Sequence, residues 1–177
     1  MIAQIVKEPN PILHRKGIPV PKITGEIQQL IDTMIETMHA AEGVGLAANQ
    51  INSHWDILVA SPDGERGKEL VLINPSILKR SGRERSPEGC LSVPGVSSEV
   101  TRAARVTAAG LSRKGEPVTL KAQGLLAKIL QHEVDHLEGH LFIERVGLFR
   151  RRRLLKKYQS LSETLSRVRV YPSASSG

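Results

Sequence analysis

The sequence predicts a single α+β domain, on the basis of three observations. Two helical patterns flank a run of short apolar segments, without the repeated strand–helix alternation that builds a doubly wound sheet. A strongly basic segment follows the second helical pattern. The length of 177 residues is the usual size of one domain with its own core. The expected order is therefore a helix, several strands, a second helix and a basic C-terminal segment.

The first helix is expected from Thr24 to Glu42. Thr24 is a suitable N-cap residue, because its hydroxyl can accept a hydrogen bond from a free backbone N–H of the first turn. Apolar residues then recur at the spacing of one helical face. They are Ile27, Leu30, Ile31, Met34, Ile35 and Met38. Gly43 is expected to end this helix.

Four short strands are expected in the middle of the chain, at residues 57–60, 70–73, 105–109 and 117–120. Turn-forming residues follow the first two runs, Ser61-Pro62-Asp63-Gly64 after one and Asn74-Pro75 after the other. Residues 113–116 are expected to form a hairpin turn between the last two strands. The middle of the chain therefore supplies the sheet.

The second helix is expected to begin at Gln123 or Gly124. Its apolar positions keep a helical spacing and are Leu125, Ile129, Leu130 and Leu137. Gly139 is well placed to end it, because glycine readily adopts the left-handed conformation of a helix C-terminus.

Composition argues against two classes of protein. The single cysteine, Cys90, cannot form an intrachain disulfide, and no apolar run approaches the roughly 20 residues that cross a bilayer. The first residues also lack the apolar core of a secretion signal. We therefore expect a soluble, cytoplasmic protein that has no membrane partner.

The net charge of +7 is confined to one segment. Residues 145–169 contain nine Lys or Arg and one acidic residue, Glu163, whereas the rest of the chain carries a charge of −1. Residues 150–157 are expected to form a basic helix with a partly apolar side. Such a charge run is either a solvated surface or a binding site for phosphates.

The strongest functional pattern is QHEVDH at residues 131–136. On a helix, His132 and His136 project from one face about 6 Å apart along the axis, so both imidazoles can hold one metal ion. Glu133 can then act as a general base on water bound to that ion. Two histidines at this spacing can also be an ordinary polar helix face, so the interpretation requires a third ligand.

A catalytic metal site needs about three protein ligands and an open position for water. His140 lies beyond Gly139, where the helix is expected to end, and each step of four residues rotates it further from the first ligand. Cys90 is the better candidate, because two glycines and two prolines in residues 87–95 shape a tight loop at a strand edge. A lone cysteine is more often a small buried apolar residue, but this setting favours a thiolate ligand.

Residues 43–50, GVGLAANQ, superficially match the GxGxxA fingerprint of dinucleotide-binding proteins. That fingerprint requires a strand before it and a helix after it, whereas here a helix precedes it. The small residues instead indicate a close backbone approach to a neighbouring strand or to a peptide substrate. Gln50 can donate an amide N–H to a developing oxyanion.

Three segments together resemble the signature motifs of the peptide deformylases, in the same order and at similar intervals. They are GVGLAANQ at 43–50, EGCLS at 88–92 and QHEVDHLEG at 131–139. The likeness extends from about Ile5 to Glu144. It implies antiparallel or mixed β-sheets packed around a central helix that carries HExxH, with an N-terminal helix and a basic C-terminal helix.

The resemblance implies a metal-dependent amide hydrolase that removes the N-terminal formyl group from formyl-methionine of new polypeptides and releases formate. The implied ligands of one Fe²⁺ ion are Cys90, His132 and His136, with Zn²⁺, Ni²⁺ or Co²⁺ as alternative ions. Glu133 is the implied catalytic acid and base. Gln50 and the backbone N–H of Leu91 are the implied oxyanion donors.

An apolar pocket for the methionine side chain is expected near Val44, Leu125 and Ile129, with Gly43 and Gly45 as further substrate-binding residues. The catalytic domain is expected to span residues 1–145. Residues 146–177 are expected to add a basic helix and a tail to the same domain, with residues 173–177 disordered.

The implied partner is an N-formylmethionyl nascent peptide, and no contact with DNA is expected. Because such a peptide leaves the ribosome, the basic segment is a candidate for contact with ribosomal RNA phosphates. The plainer alternative is that this segment is a solvated surface.

Two other functions remain open from the sequence. A zinc peptidase of the HExxH type would need another ligand downstream, for which Glu138 and Glu144 are the candidates. A catalytically silent ribosome-binding protein would not need an intact set of Gln50, Cys90 and Glu133.

Overall fold

The computed structural model describes residues 1–168, so the predicted disorder of residues 173–177 lies outside the described residues. Its helices are α1 (Gly25–Ala40), α2 (Gly124–Leu137) and α3 (Leu148–Val168). Its strands are β1 (Gly45–Ala47), β2 (Ile57–Ala60), β3 (Leu70–Ser81), β4 (Glu84–Cys90), β5 (Val93–Arg102), β6 (Arg105–Leu111) and β7 (Pro117–Gln123). The predicted α+β class is confirmed.

The predicted first helix, α1, begins after Thr24, whose Oγ1 accepts a hydrogen bond from the backbone N–H of Ile27 at 3.4 Å. It ends at Ala40, two residues earlier than expected. Its apolar face is fully buried at Ile31, Met34 and Met38, within a core that also contains side chains from β1, β2 and β3. Burial of this face fixes α1 against one side of the sheet.

Five strands form one antiparallel sheet in the order β1-β2-β3-β6-β7. β3 is longer than expected, because Asn74-Pro75 does not end it. The pairing with β6 instead shifts register between Ile73 and Ser76, so the strand bends and continues to Ser81. Asn74 has a φ of 53°, and its side chain accepts from the Val20 N–H at 2.7 Å and donates to the Val20 carbonyl at 3.0 Å.

The predicted hairpin turn between β6 and β7 is confirmed. The N–H of Gly115 donates to the Ser112 carbonyl at 2.9 Å, and the N–H of Ser112 donates to the Glu116 carbonyl at 2.8 Å. Gly115 has a φ of 83°, which residues other than glycine rarely adopt. The turn keeps β6 and β7 in register along their whole length.

Two strands that the sequence did not predict, β4 and β5, form a separate antiparallel sheet. The segment 87–95, expected to be a tight loop at a strand edge, is the end of this hairpin, and Leu91 and Ser92 form its turn. Pro87 and Pro94 are tolerated because both strands of a two-stranded sheet are edge strands. Cys90 is therefore the last residue of a strand.

The second helix, α2, packs on the five-stranded sheet. Ala127, Leu130, Val134 and Leu137 lie in one buried cluster with side chains from β2, β3, β6 and β7. The predicted end of the helix is confirmed, because Gly139 has a φ of 81°. A Cβ at Gly139 would also lie 2.8 Å from the backbone of His14. α2 is thus enclosed between the sheet and the N-terminal segment.

The basic C-terminal helix, α3, packs against β5. Its buried side chains are Leu154 and Tyr158, which belong to a cluster that includes Val96 and Phe142. The Tyr158 hydroxyl donates to the Glu8 carbonyl at 2.9 Å. The predicted partly apolar side of this helix is confirmed, and it is joined to the body. Within residues 1–168, no helix is both long and apolar enough to cross a membrane.

Candidate active site

Three side chains from two elements meet beside the turn of the β4–β5 hairpin. α2 presents His132 and His136 one helical turn apart, and the end of β4 presents Cys90. Their ligand atoms all lie within 4.8 Å of one another, and the Cys90 Sγ is 3.1 Å from Nε2 of His136. Ligands of a tetrahedral ion lie about 3.5 Å apart, given bonds of 2.0–2.3 Å. The three residues can therefore hold one ion after a small adjustment.

Charge also favours a cation at this cluster. Burial raises the pKa of the Cys90 thiol, but the charge and hydrogen bonds of His136 and His132 outweigh burial and bring the pKa well below its usual value. The lowered pKa favours the thiolate form of Cys90, which is the form that binds a metal. A divalent ion held by the three residues would supply the positive charge that a buried thiolate requires.

Glu133 projects from α2 beside this cluster. Its side chain is almost fully buried, and within the described residues its Oε2 has no hydrogen-bond partner. Burial raises the pKa of Glu133, and the nearby imidazoles only partly oppose that rise. A buried carboxyl group with a raised pKa and one free oxygen can accept and return a proton during a reaction.

Gln50 lies across the site from α2, in the short helix Ala48–Ile51 that follows β1. Its Oε1 accepts from the Ala47 N–H at 2.9 Å, which directs its amide N–H groups toward β4. Its Nε2 donates to the Ser92 Oγ at 3.1 Å and lies 3.6 Å from the Cys90 Sγ. The Gln50 amide is therefore held beside the proposed ligand.

Leu91 occupies the turn that follows Cys90, so its backbone N–H belongs to the same peptide unit as the Cys90 carbonyl. The Lys7 ammonium donates to the Leu91 carbonyl at 2.5 Å. Burial lowers the pKa of Lys7. This contact from the N-terminal segment fixes the orientation of the turn.

An open cavity of about 600 Å³ leads to the three residues. All five residues expected to bind substrate line it, namely Gly43, Val44, Gly45, Leu125 and Ile129. Val44 and Leu125 are partly exposed at its surface, whereas Ile129 is buried. A Cβ at Gly45 would lie 2.5 Å from the Glu133 Oε1 and 2.7 Å from the Ile129 Cγ2. Because Gly45 has no side chain, Glu133 and Ile129 have room to reach the cavity.

A network of charged side chains supports the site, and sequence reasoning missed it. Nδ1 of His132 lies 3.2 Å from a carboxylate oxygen of Glu88, and Arg102 donates to both oxygens of Glu88 at 2.8 and 2.9 Å. Arg102 also donates to Asp135, which accepts two further hydrogen bonds from Arg145. The network joins α2 to β4, β5 and the segment before α3.

The pKa values of the two carboxyl groups in this network are set by their charged partners. Burial alone would raise the pKa of Glu88, but hydrogen bonds and charge from Arg102 and His132 lower it to about 2. Burial likewise opposes ionisation of Asp135, and the two arginines still lower its pKa. Each buried charge is thus compensated by partners, which is the condition for burying it. Glu88 leaves only the Nε2 atom of His132 free for a ligand bond.

The alternative ligands from the sequence lie elsewhere. His140 is half-exposed and pairs with Glu144 at 2.9 Å, and Glu144 also pairs with Arg151 at 3.1 Å. Among the residues that the structure describes, Cys90, His132 and His136 form the one group of three or more His, Cys, Asp or Glu that is close enough to share an ion. The peptidase alternative therefore gains no ligand from Glu144.

Comparisons with known proteins agree with this geometry. The sequence profile of the polypeptide deformylase family matches residues 2–152. Peptide deformylase of Hamiltonella defensa is 43% identical over 162 residues, covering 92% of this chain and 95% of the relative. Peptide deformylase of Nitrosococcus oceani is 46% identical over 156 residues, covering 88% and 93%.

A solved structure shows the same architecture. The crystal structure of a peptide deformylase from Legionella pneumophila superposes with a TM-score of 0.90 and 36% identity, covering 94% of this chain and 99% of the other. The profile match and both sequence relatives cover most of the chain. This chain therefore belongs to the peptide deformylases, the metal-dependent hydrolases that remove the N-terminal formyl group from nascent peptides.

Proposed function

We propose that Cys90, His132 and His136 hold the metal ion, that Glu133 carries the proton, and that Gln50 and Leu91 stabilise the oxyanion. The observation that carries this assignment is the convergence of the three ligand atoms within 4.8 Å, directly beside a buried carboxylate with a free oxygen. The open cavity then admits the formylated end of a peptide. Together, a metal site, a proton carrier and oxyanion donors are the groups that hydrolysis of a formyl amide requires.

A divalent ion held by Cys90, His132 and His136 would supply Lewis acidity toward water and the formyl oxygen. The residues of the chain set its position. Glu88 fixes the ring of His132 through Nδ1, and the backbone N–H of Ser92 donates to the Cys90 Sγ at 3.4 Å. These supporting contacts fix the orientation of two of the proposed ligands.

Glu133 moves the proton in both halves of the reaction. It accepts a proton from water as the water oxygen adds to the formyl carbon. It then passes that proton to the departing nitrogen as the carbon–nitrogen bond breaks, which yields formate and a free amine. Its raised pKa suits both roles, because it makes Glu133 a stronger base than an ordinary glutamate while the protonated form can still return the proton.

The negative charge that develops on the formyl oxygen requires donors. Gln50 offers its amide N–H, held in place through Ala47, and Leu91 offers its backbone N–H from the hairpin turn. Donors fixed before the reaction cost little reorganisation when the charge develops. We assign the methionine side chain to the apolar part of the cavity, near Val44, Leu125 and Ile129.

The decisive experiment measures formate release from a formyl-Met peptide by protein purified without oxygen. The wild-type chain should release formate, and Glu133→Ala should lose at least about 100-fold in kcat, since a general base contributes 10²–10⁴-fold. Cys90→Ala should lose its metal, measured by elemental analysis, because one of three ligands is gone. Retention of metal by Cys90→Ala would refute this ligand set.

We propose Fe²⁺ as the ion, with Zn²⁺, Ni²⁺ or Co²⁺ as substitutes. A thiolate donates more charge than a third imidazole and so weakens the Lewis acidity of the ion, which should disfavour zinc. Iron-loaded protein should turn over faster than zinc-loaded protein, and equal rates would refute the argument. Because oxygen damages both ferrous iron and a thiolate, activity should fall in air, which fits a reducing cytoplasm as the place of action.

We also propose that α3 contacts ribosomal RNA. Over residues 148–164, where burial is described, its exposed cations are Arg150, Arg152, Arg153, Lys156 and Lys157. Removing the helix is a poor test, because Leu154 and Tyr158 are part of the core. Replacing the five cations with Gln should instead preserve formate release and reduce co-sedimentation with ribosomes, whereas unchanged co-sedimentation would refute the contact.

A further inference from the structure

A second basic surface lies on the five-stranded sheet, on the face opposite α2. β6 alternates between the two faces, since Val106 and Ala108 are buried toward α2, whereas Arg105 is exposed on the other side. We call this other side the basic sheet face. It is formed by Lys79, Ser81, Arg105, Thr107, Lys121 and Gln123, which line a cavity of about 430 Å³.

Strand register places these side chains in two rows across β3, β6 and β7. In one row, Lys79 lies opposite Thr107, which lies opposite Lys121. In the other row, Arg105 lies between Ser81 and Gln123. Since adjacent strands are about 4.8 Å apart, the backbones of Lys79 and Lys121 are about 10 Å apart. The positive charges are therefore spread along a surface and do not converge on one point.

The three cations of this face are uncompensated. Within the described part of the chain, Lys79, Arg105 and Lys121 have no carboxylate or hydrogen-bond partner, and no Asp or Glu lines the cavity. By contrast, Arg113 and Lys128 on neighbouring segments are paired with carboxylates. Clustered charges of one sign with no counter-charge produce a positive potential that attracts an anion.

We propose that the basic sheet face binds the phosphate backbone of RNA. Lys and Arg supply the charge, while Ser81, Thr107 and Gln123 supply the hydroxyl and amide groups that commonly contact phosphate and sugar. Among residues 1–168 no aromatic side chain lines the cavity, so we expect binding without base stacking and without sequence preference. An enzyme that acts on nascent peptides works close to RNA, which favours RNA over an acidic protein.

This face is separate from both surfaces discussed above. It shares no residue with the cavity that leads to Cys90. It also belongs to the five-stranded sheet, whereas α3 packs against β5 of the two-stranded sheet. Substitutions on the basic sheet face should therefore leave formate release unchanged, and loss of RNA binding is distinguishable from failure of the proposed activity.

The test compares two triple variants of the metal-loaded full chain. Lys79→Gln/Arg105→Gln/Lys121→Gln removes the cations of the face, and Lys16→Gln/Lys22→Gln/Lys114→Gln removes three exposed cations elsewhere. The probe is a fluorescent oligouridylate of about 12 nucleotides, long enough for one single-strand site. Its anisotropy is measured over a series of salt concentrations, with formate release and thermal unfolding as checks on the fold.

The plot of log affinity against log salt should become shallower by about 2 in the first variant relative to the control, because each lost contact removes about 0.7. Arg105→Gln alone should make this plot shallower by about 0.7. Slopes equal to the control would overturn the proposal. Unchanged RNA binding with loss of binding to polyglutamate would also overturn it, and would assign the face to an acidic protein.

Discussion

The carboxylate of Glu88 lies 3.2 Å from Nδ1 of His132, so a residue of β4 orients the first histidine of α2. Glu88 is only two residues before Cys90 and lies on the same side of the strand. One short strand thus supplies both a proposed ligand and the group that orients another ligand. Arg102 and Asp135 extend this support through the interior to Arg145.

Glu88→Gln should weaken metal binding by about 10- to 100-fold, the usual cost of losing the partner of a ligating histidine. The amide keeps the size of the side chain but loses the charge that Arg102 and His132 compensate. Affinity is measured by competition with a chelator. Glu99→Gln is the matched control, because Glu99 lies on β5, next to β4, and its one ion pair within residues 1–168 is with the exposed Arg85 at 2.7 Å. Equal affinities of the two variants would contradict the role given to Glu88.

Ionisation of Glu69 should make the free energy of unfolding depend on pH below 4.5, the ordinary pKa of this residue. Burial raises the pKa of Glu69, but hydrogen bonds from His39, at 2.6 Å, and from the Gly67 N–H outweigh it and lower the pKa. A lowered folded-state pKa contributes stability above the unfolded-state value, and that contribution is lost as the pH falls. Glu69→Gln should therefore be less stable than wild type near neutral pH.

The gap between the two proteins in free energy of unfolding should shrink as the pH falls below about 4.5 toward the lowered pKa. Urea denaturation at a series of pH values measures it. Glu65→Gln is the control, because the carboxylate of Glu65 is exposed and, in the described part of the chain, forms an ion pair with the exposed Lys68 alone. A gap for Glu69→Gln that stays constant down to strongly acid pH would show that its carboxylate is not the origin of the effect.

Gly45→Ala should reduce kcat/KM for a formyl-Met peptide by about 100-fold, since a displacement of 1 Å at reacting groups has this effect. The added methyl would lie 2.5 Å from the Glu133 Oε1 and 2.7 Å from the Ile129 Cγ2, so the carboxylate must move. Gly147→Ala is the control, because a Cβ there meets nothing within 4 Å. Thermal unfolding of both variants separates a catalytic defect from loss of the fold, and full activity of Gly45→Ala would disprove the close approach.

Leu154→Ala should lower the free energy of unfolding by about 2–5 kcal/mol, the cost of removing a buried leucine side chain. Leu154 is 9% exposed and packs in the cluster that joins α3 to β5. Leu148→Ala removes the same atoms from a residue that is 69% exposed in the same helix, and should cost about 0.5 kcal/mol or less. Urea denaturation of the two variants measures the difference, and equal values would mean that α3 is not part of the core.

The helices and the central strands were predictable from the sequence, because apolar spacing is set by burial on one face. The β4–β5 hairpin was not predictable in this way. Val93, Val96 and Val100 are the buried valines of β5, and their spacing of three and four is that of a helix. Gly95, with a φ of 79°, interrupts the alternation of a regular strand. The spacing of these apolar residues therefore does not predict a strand at β5.

The proposed ligands were predictable from spacing and from local context, whereas the charged network was not. His132 and His136 are four residues apart on one helix, so their proximity is a local property. Arg102 and Asp135 meet because the end of β5 lies beside α2 in the fold, and each would be expected on the surface if taken alone. The place of Glu88 was hidden for the same reason as its strand, because its sharing a face with Cys90 follows only once β4 is known to be a strand.

The attachment of α3 has a mechanical consequence for the enzyme. Leu161 of α3 has a methyl group 3.0 Å from the position that a Cβ on Gly95 would occupy, and Gly95 forms part of the wall of the cavity. The RNA contact proposed for α3 would therefore also stabilise this wall, and would set the orientation of the cavity entrance relative to the bound RNA. A flexible segment of the same charge would bind RNA without setting that orientation.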